Sequence, residues 1–330
     1  MKKGIIYIFL LLFLCGAVCF VMYRKNSHFS DAYNESGEEN LSEDLEGLSI
    51  SEPAGYSGKV TVIPDNTEIN AENLQNNTYA ALMVNNDTRE CIVAHNVHER
   101  IYPASMTKLL TGIVVCDAID AGEISLDEVI ELDHEISLGN IYAVQSDLTI
   151  GSKISVRNLL TALMLSSYND YAVILGERIS GSVDAFVERM NAKARSIGAT
   201  CTHFSNPHGL DALDHYTTAY DLYLIVNKAA EYPLLEEIDR YSDYTYTYED
   251  GSGTVWEDTA SATNHFITQD EYLPSYITIG TWKTGTTGGA GNCLTMQVKI
   301  HDTSYTMLVQ DSISKTDLYE VYSALFNLAQ

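Results

Sequence analysis

The sequence predicts an α+β domain in which strands from both ends of the domain form one antiparallel sheet. Two observations lead to this prediction. Segments of strand character occur near residue 80 and again after residue 275, and segments of helical periodicity lie between them. We therefore expect helices packed on the sheet and a helical insert between its halves. Apolar residues make up 45% of the 330 residues, which is enough for a full core.

The predicted domain begins with a β-hairpin. Its strands cover residues 79–84 and 90–94, and the turn-forming cluster at residues 85–88 joins them. After Pro103, apolar residues recur at i, i+3 and i+4 spacing through Ala118, which predicts a long helix. The same criterion predicts four more helices, at residues 159–164, 171–179, 183–197 and 217–230.

The C-terminal part of the chain returns to strands. Tyrosine and threonine alternate over residues 244–248, which predicts a strand that turns at residues 250–253. Three more strands and a closing amphipathic helix follow, at residues 276–282, 293–300, 305–310 and 318–328. The Tyr-rich segment 241–256 is most simply a surface hairpin, and the alternative is that it shapes a binding site.

Ahead of the globular domain, the sequence predicts two further segments. Residues 4–23 are apolar and uncharged with basic residues on both sides, so residues 1–25 fit a single-span membrane anchor. A cleaved signal, which would make the protein secreted, is the alternative. Residues 26–70 are acidic and polar and predict a disordered stalk. Residues 71–330 form the globular domain, which we expect on the outer side of that membrane.

The charge of the chain excludes one class of partner. The formal net charge is −26 and the sequence pI is about 4.5, which argues against a nucleic-acid-binding protein. Cys91, His95, His98 and Glu99 have a spacing similar to that of metal ligands, but no second cluster completes them. We therefore predict no metal site.

The first motif with chemical significance is Ser105-Met106-Thr107-Lys108, at the start of the helix after Pro103. Residues three apart share one helix face, so the Lys108 amine can reach the Ser105 hydroxyl. A serine becomes a nucleophile when a neighbouring base takes its proton, and a buried lysine with a lowered pKa is such a base. A second match to the pattern, at residues 312–315, is interpreted as a solvated turn.

Two more motifs follow in the chain. Ser167-Tyr168-Asn169 lies in the break between two predicted helices, where its side chains could transfer a proton or hold an amide. A plain helix cap is the alternative. Lys283-Thr284-Gly285-Thr286 follows a predicted strand; its ammonium and hydroxyls could hold a carboxylate, and Gly285 allows a close backbone approach. A hairpin turn with a solvated lysine is the alternative there.

Together, Ser-x-x-Lys, Ser-x-Asn and Lys-Thr-Gly in this order are typical of penicillin-binding proteins and β-lactamases. From about Tyr79 onward, the chain resembles the low-molecular-mass penicillin-binding proteins, the serine-type D-alanyl-D-alanine carboxypeptidases. The segments 102–108, 165–170, 206–211 and 283–294 carry the resemblance, although a glycine is usual where Tyr168 stands. It implies the penicillin-binding/β-lactamase-like transpeptidase fold, an α/β (α+β) fold with a five-stranded antiparallel sheet flanked by helices and a helical subdomain.

The resemblance also implies residue roles. Ser105 is expected to be the nucleophile, Lys108 its general base, Ser167 a proton shuttle and Asn169 a positioning group. The carboxylate of the substrate is expected to bind Lys283 and Thr284, with Thr286 beside them, and the backbone N–H groups of Ser105 and Thr286 to form an oxyanion hole. The implied substrate is the stem peptide of peptidoglycan, β-lactams are implied as covalent inhibitors, and no cofactor is needed.

Two other functions stay open from the sequence. A class A-like β-lactamase requires a positioned glutamate for deacylation, and none is evident after the second motif. A catalytically weak penicillin-binding wall scaffold has no need of the intact Ser105, Lys108 and Lys283. The expected role is therefore in peptidoglycan biosynthesis and cell shape, as a D,D-peptidase.

Overall fold

The computed structural model describes residues 78–140 and 142–329. The predicted anchor 1–25 and stalk 26–70 lie outside the described residues. Within those residues, no helix is long and apolar enough to cross a membrane. The strands are β1 (Ala80–Asn85), β2 (Cys91–His95), β3 (Val129–Glu131), β4 (Lys153–Ser155), β5 (Asp243–Glu249), β6 (Val255–Ser261), β7 (Ile277–Thr287), β8 (Gly291–Ile300) and β9 (Thr303–Ser312).

The helices follow the predicted order. A short 3-10 turn, Ala104–Met106, precedes the first of them. The helices are α1 (Thr107–Asp120), α2 (Val156–Leu165), α3 (Asn169–Ser180), α4 (Val183–Ser196), α5 (Ala219–Ala229), α6 (Pro233–Ile238), α7 (His265–Thr268) and α8 (Lys315–Leu328). All six helices that the sequence predicts are present, and the short α6 and α7 are additions.

The predicted sheet from both ends of the domain is confirmed. Five antiparallel strands lie in the order β2-β1-β9-β8-β7. β1 pairs with β2 and with β9, so Ala81 lies opposite both His95 and Val309. The hairpin at the start of the domain therefore joins the meander of strands at its end, and β7 is one edge of the sheet.

Helix α1 is at the centre of the domain. It packs against α2, α3, α4 and α5. Every residue from Thr107 to Cys116 is buried, which is the behaviour of a helix that is enclosed on all sides. The Ser-x-x-Lys motif at its N-terminus is therefore held by a helix that is packed on all sides.

Besides the expected helices, the part of the chain between the sheet halves carries a second sheet, which the sequence did not predict as a whole. Its four strands lie in the order β3-β4-β5-β6. β5 and β6 form the hairpin predicted for the Tyr-rich segment, in full register from Asp243 opposite Ser261 to Glu249 opposite Val255. β3 and β4 have only three residues each, too few for a periodic pattern.

Strand β7 is longer than predicted. The sequence suggests that the strand ends at Trp282, before the Lys-Thr-Gly motif. In the structure the pairing continues through that motif, with Lys283 opposite Thr295 and Thr287 opposite Gly291. The third motif therefore belongs to an edge strand, whose regular backbone fixes its position.

Candidate active site

The nucleophile segment is the 3-10 turn that leads into α1. Its backbone is held by Met106 N, which donates to Pro103 O at 3.2 Å, and by Thr107 Oγ1, which donates to Ala104 O at 2.8 Å. Ala104 has a φ of 48°, in the left-handed region. This turn leaves Ser105 half-buried at the surface of the cleft, one helical turn before Lys108.

The amine of Lys108 has three partners in the interior. Its Nζ lies 3.0 Å from Ser105 Oγ, 2.7 Å from Asn169 Oδ1 and 2.6 Å from the His208 carbonyl oxygen. Burial, and secondarily the positive charge of Lys283, hold the pKa of Lys108 well below its usual value. A neutral amine beside the Ser105 hydroxyl can accept its proton, which is the requirement for a general base.

The second motif lies in the break between α2 and α3. Ser167 has a φ of 63°, and its buried Oγ has no hydrogen-bond partner among the described residues. Asn169 is the first residue of α3, and its backbone N donates to Val144 O at 2.9 Å. The N-cap of α3 is Tyr168, without a side-chain cap bond. The side chains of Ser167 and Asn169 therefore do not cap the helix and are free for another role.

The third motif places a second lysine, Lys283, close enough to Lys108 for the two charges to interact. Lys283 is fully buried, and burial lowers its pKa to about 7, although the charge of Asp239 opposes this shift. Its Nζ lies near the carbonyl oxygen of Thr284, at 3.4 Å. The Thr284 hydroxyl bonds to Thr263 Oγ1 at 2.5 Å, and Thr286 is exposed on the same strand.

Two glycines allow these segments to come together. A Cβ at Gly285 would lie 2.9 Å from Ala104 Cβ and 3.2 Å from Ser105 N. A Cβ at Gly209 would lie 1.9 Å from Ala104 O, and this glycine has a φ of 94°. Gly285 was expected to admit the backbone of a substrate, and in the structure it also admits the nucleophile segment. The result is that β7 and the loop at Gly209 enclose Ser105 from two sides.

Several residues of the site were not identified from the sequence. Asp239, at the end of α6, is buried close to Lys283, and burial raises the pKa of its carboxyl well above the usual value. Asp211 binds the turn after the third motif, accepting from Thr287 Oγ1 at 2.6 Å and from Gly289 N at 2.9 Å. Short acidic side chains in loops have no distinctive sequence signal. Asp211 was noted only as the last residue of segment 206–211, which carries part of the resemblance.

The histidines have structural contacts. His208 Nδ1 accepts from Leu210 N at 3.2 Å and so fixes the turn between these residues. Burial, followed by the charge of Lys108, lowers its pKa to about 3, so it is neutral. Across residues 78–140 and 142–329, no three His, Cys, Asp or Glu side chains are grouped in a way that could hold a metal ion.

The structure thus gathers Ser105, Lys108, Ser167, Asn169 and the Lys283–Thr286 strand into one cleft. Such an arrangement suits acyl transfer. It contains a serine hydroxyl, a lysine whose pKa burial lowers, a second hydroxyl and a strand edge with a lysine that can hold a carboxylate.

Comparisons with solved structures define the class of the protein. Penicillin-Binding Protein D2 from Listeria monocytogenes, in its cefotaxime-bound form, is 25% identical with a TM-score of 0.65; the match covers 76% of this chain and 96% of that one. The Streptomyces K15 DD-transpeptidase, at 24% identity and a TM-score of 0.67, has the same fold over 77% of this chain and 97% of its own. The fold is that of the penicillin-binding proteins, as expected.

The family follows from the sequence comparisons. Residues 66–313 match the model of the peptidase S11 family, described as D-alanyl-D-alanine carboxypeptidase, and the chain belongs to this family. D-alanyl-D-alanine carboxypeptidase DacF of Bacillus subtilis is 32% identical over 67% of this chain and 54% of its own length. The D-alanyl-D-alanine endopeptidase of Pseudomonas aeruginosa is 31% identical over 72% of both chains. The matched region thus spans about half of the first relative.

Proposed function

We propose that this protein is a serine D,D-carboxypeptidase that removes the terminal D-alanine from peptidoglycan stem pentapeptides. The observation that carries the proposal is the Lys108 Nζ, which lies 3.0 Å from Ser105 Oγ and whose pKa burial holds well below its usual value. Family membership supports the same reaction.

In the first half of the reaction, Ser105 Oγ attacks the carbonyl carbon of the penultimate D-alanine while Lys108 accepts the hydroxyl proton. The backbone N–H groups of Ser105 and Thr286 stabilise the oxyanion, a contribution of about 3–4 kcal/mol for one such donor. Ser167 relays the hydroxyl proton from Lys108 to the amine of the departing D-alanine, which leaves Lys108 neutral again, and Asn169 holds Lys108 at 2.7 Å. An ester on Ser105 and free D-alanine result.

In the second half, water attacks the ester and gives a proton to Lys108. Lys108 passes this proton to Ser105 Oγ as the ester bond breaks, which restores Ser105 and releases the shortened peptide. Binding of the terminal carboxylate is assigned to Lys283 and Thr284, with Thr286 beside them. Gly285 keeps this strand close to the nucleophile. β-Lactams acylate Ser105 as substrate mimics, in agreement with the cefotaxime-bound relative from Listeria.

An endopeptidase that cuts crosslinked stem peptides is the second candidate. The relatives from Pseudomonas aeruginosa and Escherichia coli that bear that name match over 72% of their own lengths, a larger share than that of DacF. The same side chains perform both reactions, because each cleaves a bond after D-alanine.

We further propose that residues 1–25 anchor the protein in the bacterial membrane through the span 4–23, with the catalytic domain 71–330 outside the cytoplasm on the stalk 26–70. The apolar, uncharged run supports this. In cell fractionation, the full chain then pellets with membranes, and the chain from residue 26 does not.

The test uses a diacetylated Lys-D-Ala-D-Ala tripeptide and the chain from residue 26. We expect release of D-alanine, and its loss by at least about 1,000-fold in Ser105→Ala. A labelled penicillin followed by intact mass is expected to give a long-lived adduct on Ser105. Rapid penicillin turnover without D-alanine release means a β-lactamase, and neither release nor adduct means a scaffold. A crosslinked dimer as substrate distinguishes the endopeptidase.

A further inference from the structure

The second motif is attached to the Tyr-rich hairpin β5–β6 on both of its sides. On the N-terminal side, Ser166 Oγ accepts from Ser261 N at 2.9 Å and donates to Ser261 O at 3.2 Å. Ser166 ends α2, and Ser261 ends β6. One hydroxyl thus binds both polar backbone groups of a single residue in the hairpin.

On the C-terminal side, three side chains form a chain of hydrogen bonds. Tyr246 donates to Asp258 Oδ2 at 2.8 Å, and its hydroxyl lies 2.9 Å from that of Tyr171. A phenol has one proton, so Tyr171 must donate to Tyr246. Tyr171 is in the first turn of α3, and both tyrosines are buried. The ring of Tyr168 lies on that of Tyr171, with 5.1 Å between centroids.

Between the two attachments lies Ser167, in an unfavourable conformation. Its φ of 63° is in the left-handed region, which a serine adopts only when the surrounding structure imposes it. Its buried Oγ makes no bond to any described residue that could hold it there. The restraint therefore comes from the neighbouring residues, of which Ser166, Tyr168 and Tyr171 are bound to the hairpin.

We propose that the hairpin β5–β6 is a clamp that positions Ser167 and Asn169 for proton transfer, with Tyr246 and Ser166 as its positioning residues. This inference rests on the proposed function and deepens it. The hairpin also reaches the third motif, because Thr263, two residues after β6, bonds to Thr284 at 2.5 Å. The second motif and strand β7 are therefore both hydrogen-bonded to the hairpin or to the residues that directly follow it.

The experiment compares two substitutions on one strand. Tyr246→Phe removes the central hydroxyl of the chain and keeps the ring. Tyr244→Phe is the matched control, because the Tyr244 hydroxyl bonds to Asn158 of α2, at 2.9 Å, and not to the second motif. In Tyr246→Phe we expect kcat for D-alanine release to fall about 10- to 100-fold with KM within about threefold, since small misplacements of catalytic groups act on the chemical step.

The pH profile gives a readout that a loss of folding does not produce. Asn169 accepts a hydrogen bond from Lys108, and Lys283 and Asp170 are the charged groups that shift the pKa of Lys108. If the clamp relaxes, the acid limb of kcat against pH shifts in Tyr246→Phe and stays in place in Tyr244→Phe. Identical limbs and an unchanged kcat in Tyr246→Phe overturn the proposal.

A second variant tests the proposal in case Tyr246→Phe does not fold. Ser166→Ala removes the other attachment at a half-buried position, and thermal unfolding is followed for every variant. If Tyr246→Phe is unfolded, Ser166→Ala decides: a lowered kcat in a folded protein supports the clamp, and full activity overturns it. If the parent chain neither releases D-alanine nor binds penicillin, the proposed function fails, and the clamp fails with it. A parent that is active beside equally active variants overturns the clamp alone.

Discussion

Two buried lysines lie in the cleft, and the proposed reaction needs them in opposite states. Lys108 must be neutral to accept the proton of Ser105, whereas Lys283 must be charged to attract a carboxylate. Burial lowers the pKa of both, and the charge of Lys283 lowers that of Lys108 further. The buried Asp239 acts in the other direction on Lys283. These side chains therefore set the pH range of activity together.

We expect a bell-shaped dependence of kcat/KM on pH, because this quantity reports the free enzyme. The acid limb follows deprotonation of Lys108. The alkaline limb follows loss of the proton from Lys283, whose pKa is about 7. Lys283→Arg retains its charge at all accessible pH values, so its alkaline limb moves to higher pH. The initial rate of D-alanine release across the pH range checks this. An unchanged limb in Lys283→Arg would assign it to another group.

At the scale of elements, the site depends on how closely three backbone segments approach one another. The loop at Gly209, the turn at Ala104 and strand β7 meet around Ser105. The loop also supplies the His208 carbonyl to Lys108 at 2.6 Å. The contact is made by backbone atoms, which cannot move aside as a flexible side chain can.

Gly209→Ala is therefore expected to cost much more stability than Gly253→Ala. Both glycines have left-handed φ angles, of 94° and 86°, so both variants pay about 1–2 kcal/mol for the conformation. Only at Gly209 does the new Cβ meet backbone, 1.9 Å from Ala104 O, whereas Gly253 has open space. We expect a further loss of about 2 kcal/mol or more, and slower acylation of Ser105. Urea unfolding measures the difference, and equal losses would contradict the tight contact.

For the whole molecule, the buried lysines make stability depend on pH. The native state holds Lys283 with a pKa of about 7, against an ordinary value of 10.5. Between these values the unfolded chain binds more protons than the native one, so stability rises with pH. Lys108 acts in the same direction. The charged lysines thus cost stability at low pH. For Lys283 this cost begins to fall once the pH exceeds the native pKa of about 7, and it is gone only near the ordinary value of 10.5.

We expect the free energy of unfolding to increase between pH 7 and about pH 9, by up to about 1.4 kcal/mol per pH unit for each lysine. Asp239 acts in the opposite direction, because burial raises the pKa of its carboxyl and the native chain holds a proton there that the unfolded chain has lost. Lys283→Met should remove the contribution of Lys283 to the pH dependence of the free energy of unfolding. Urea unfolding at several pH values checks this, and parallel slopes for the two proteins would refute the assignment.

By itself, the sequence determined the three motifs, their order and nearly all of the larger elements. These are local properties: periodicity appears within one helix or strand, and Ser105 and Lys108 are one helical turn apart. The strands at the two ends were also sufficient to predict the five-stranded sheet, because short apolar strands must bury their faces against one another. Family membership then confirmed the resemblance that the motifs had suggested.

Only the tertiary structure decided which distant groups surround the motifs. The His208 carbonyl lies 100 residues from Lys108 in sequence, and Tyr246 lies 75 residues from Tyr171. The second sheet depends on β3 and β4, whose three residues gain their structure from pairing rather than from propensity. Contacts of this kind leave no periodic pattern in the chain, because their energy arises when burial removes water from groups that folding brings together.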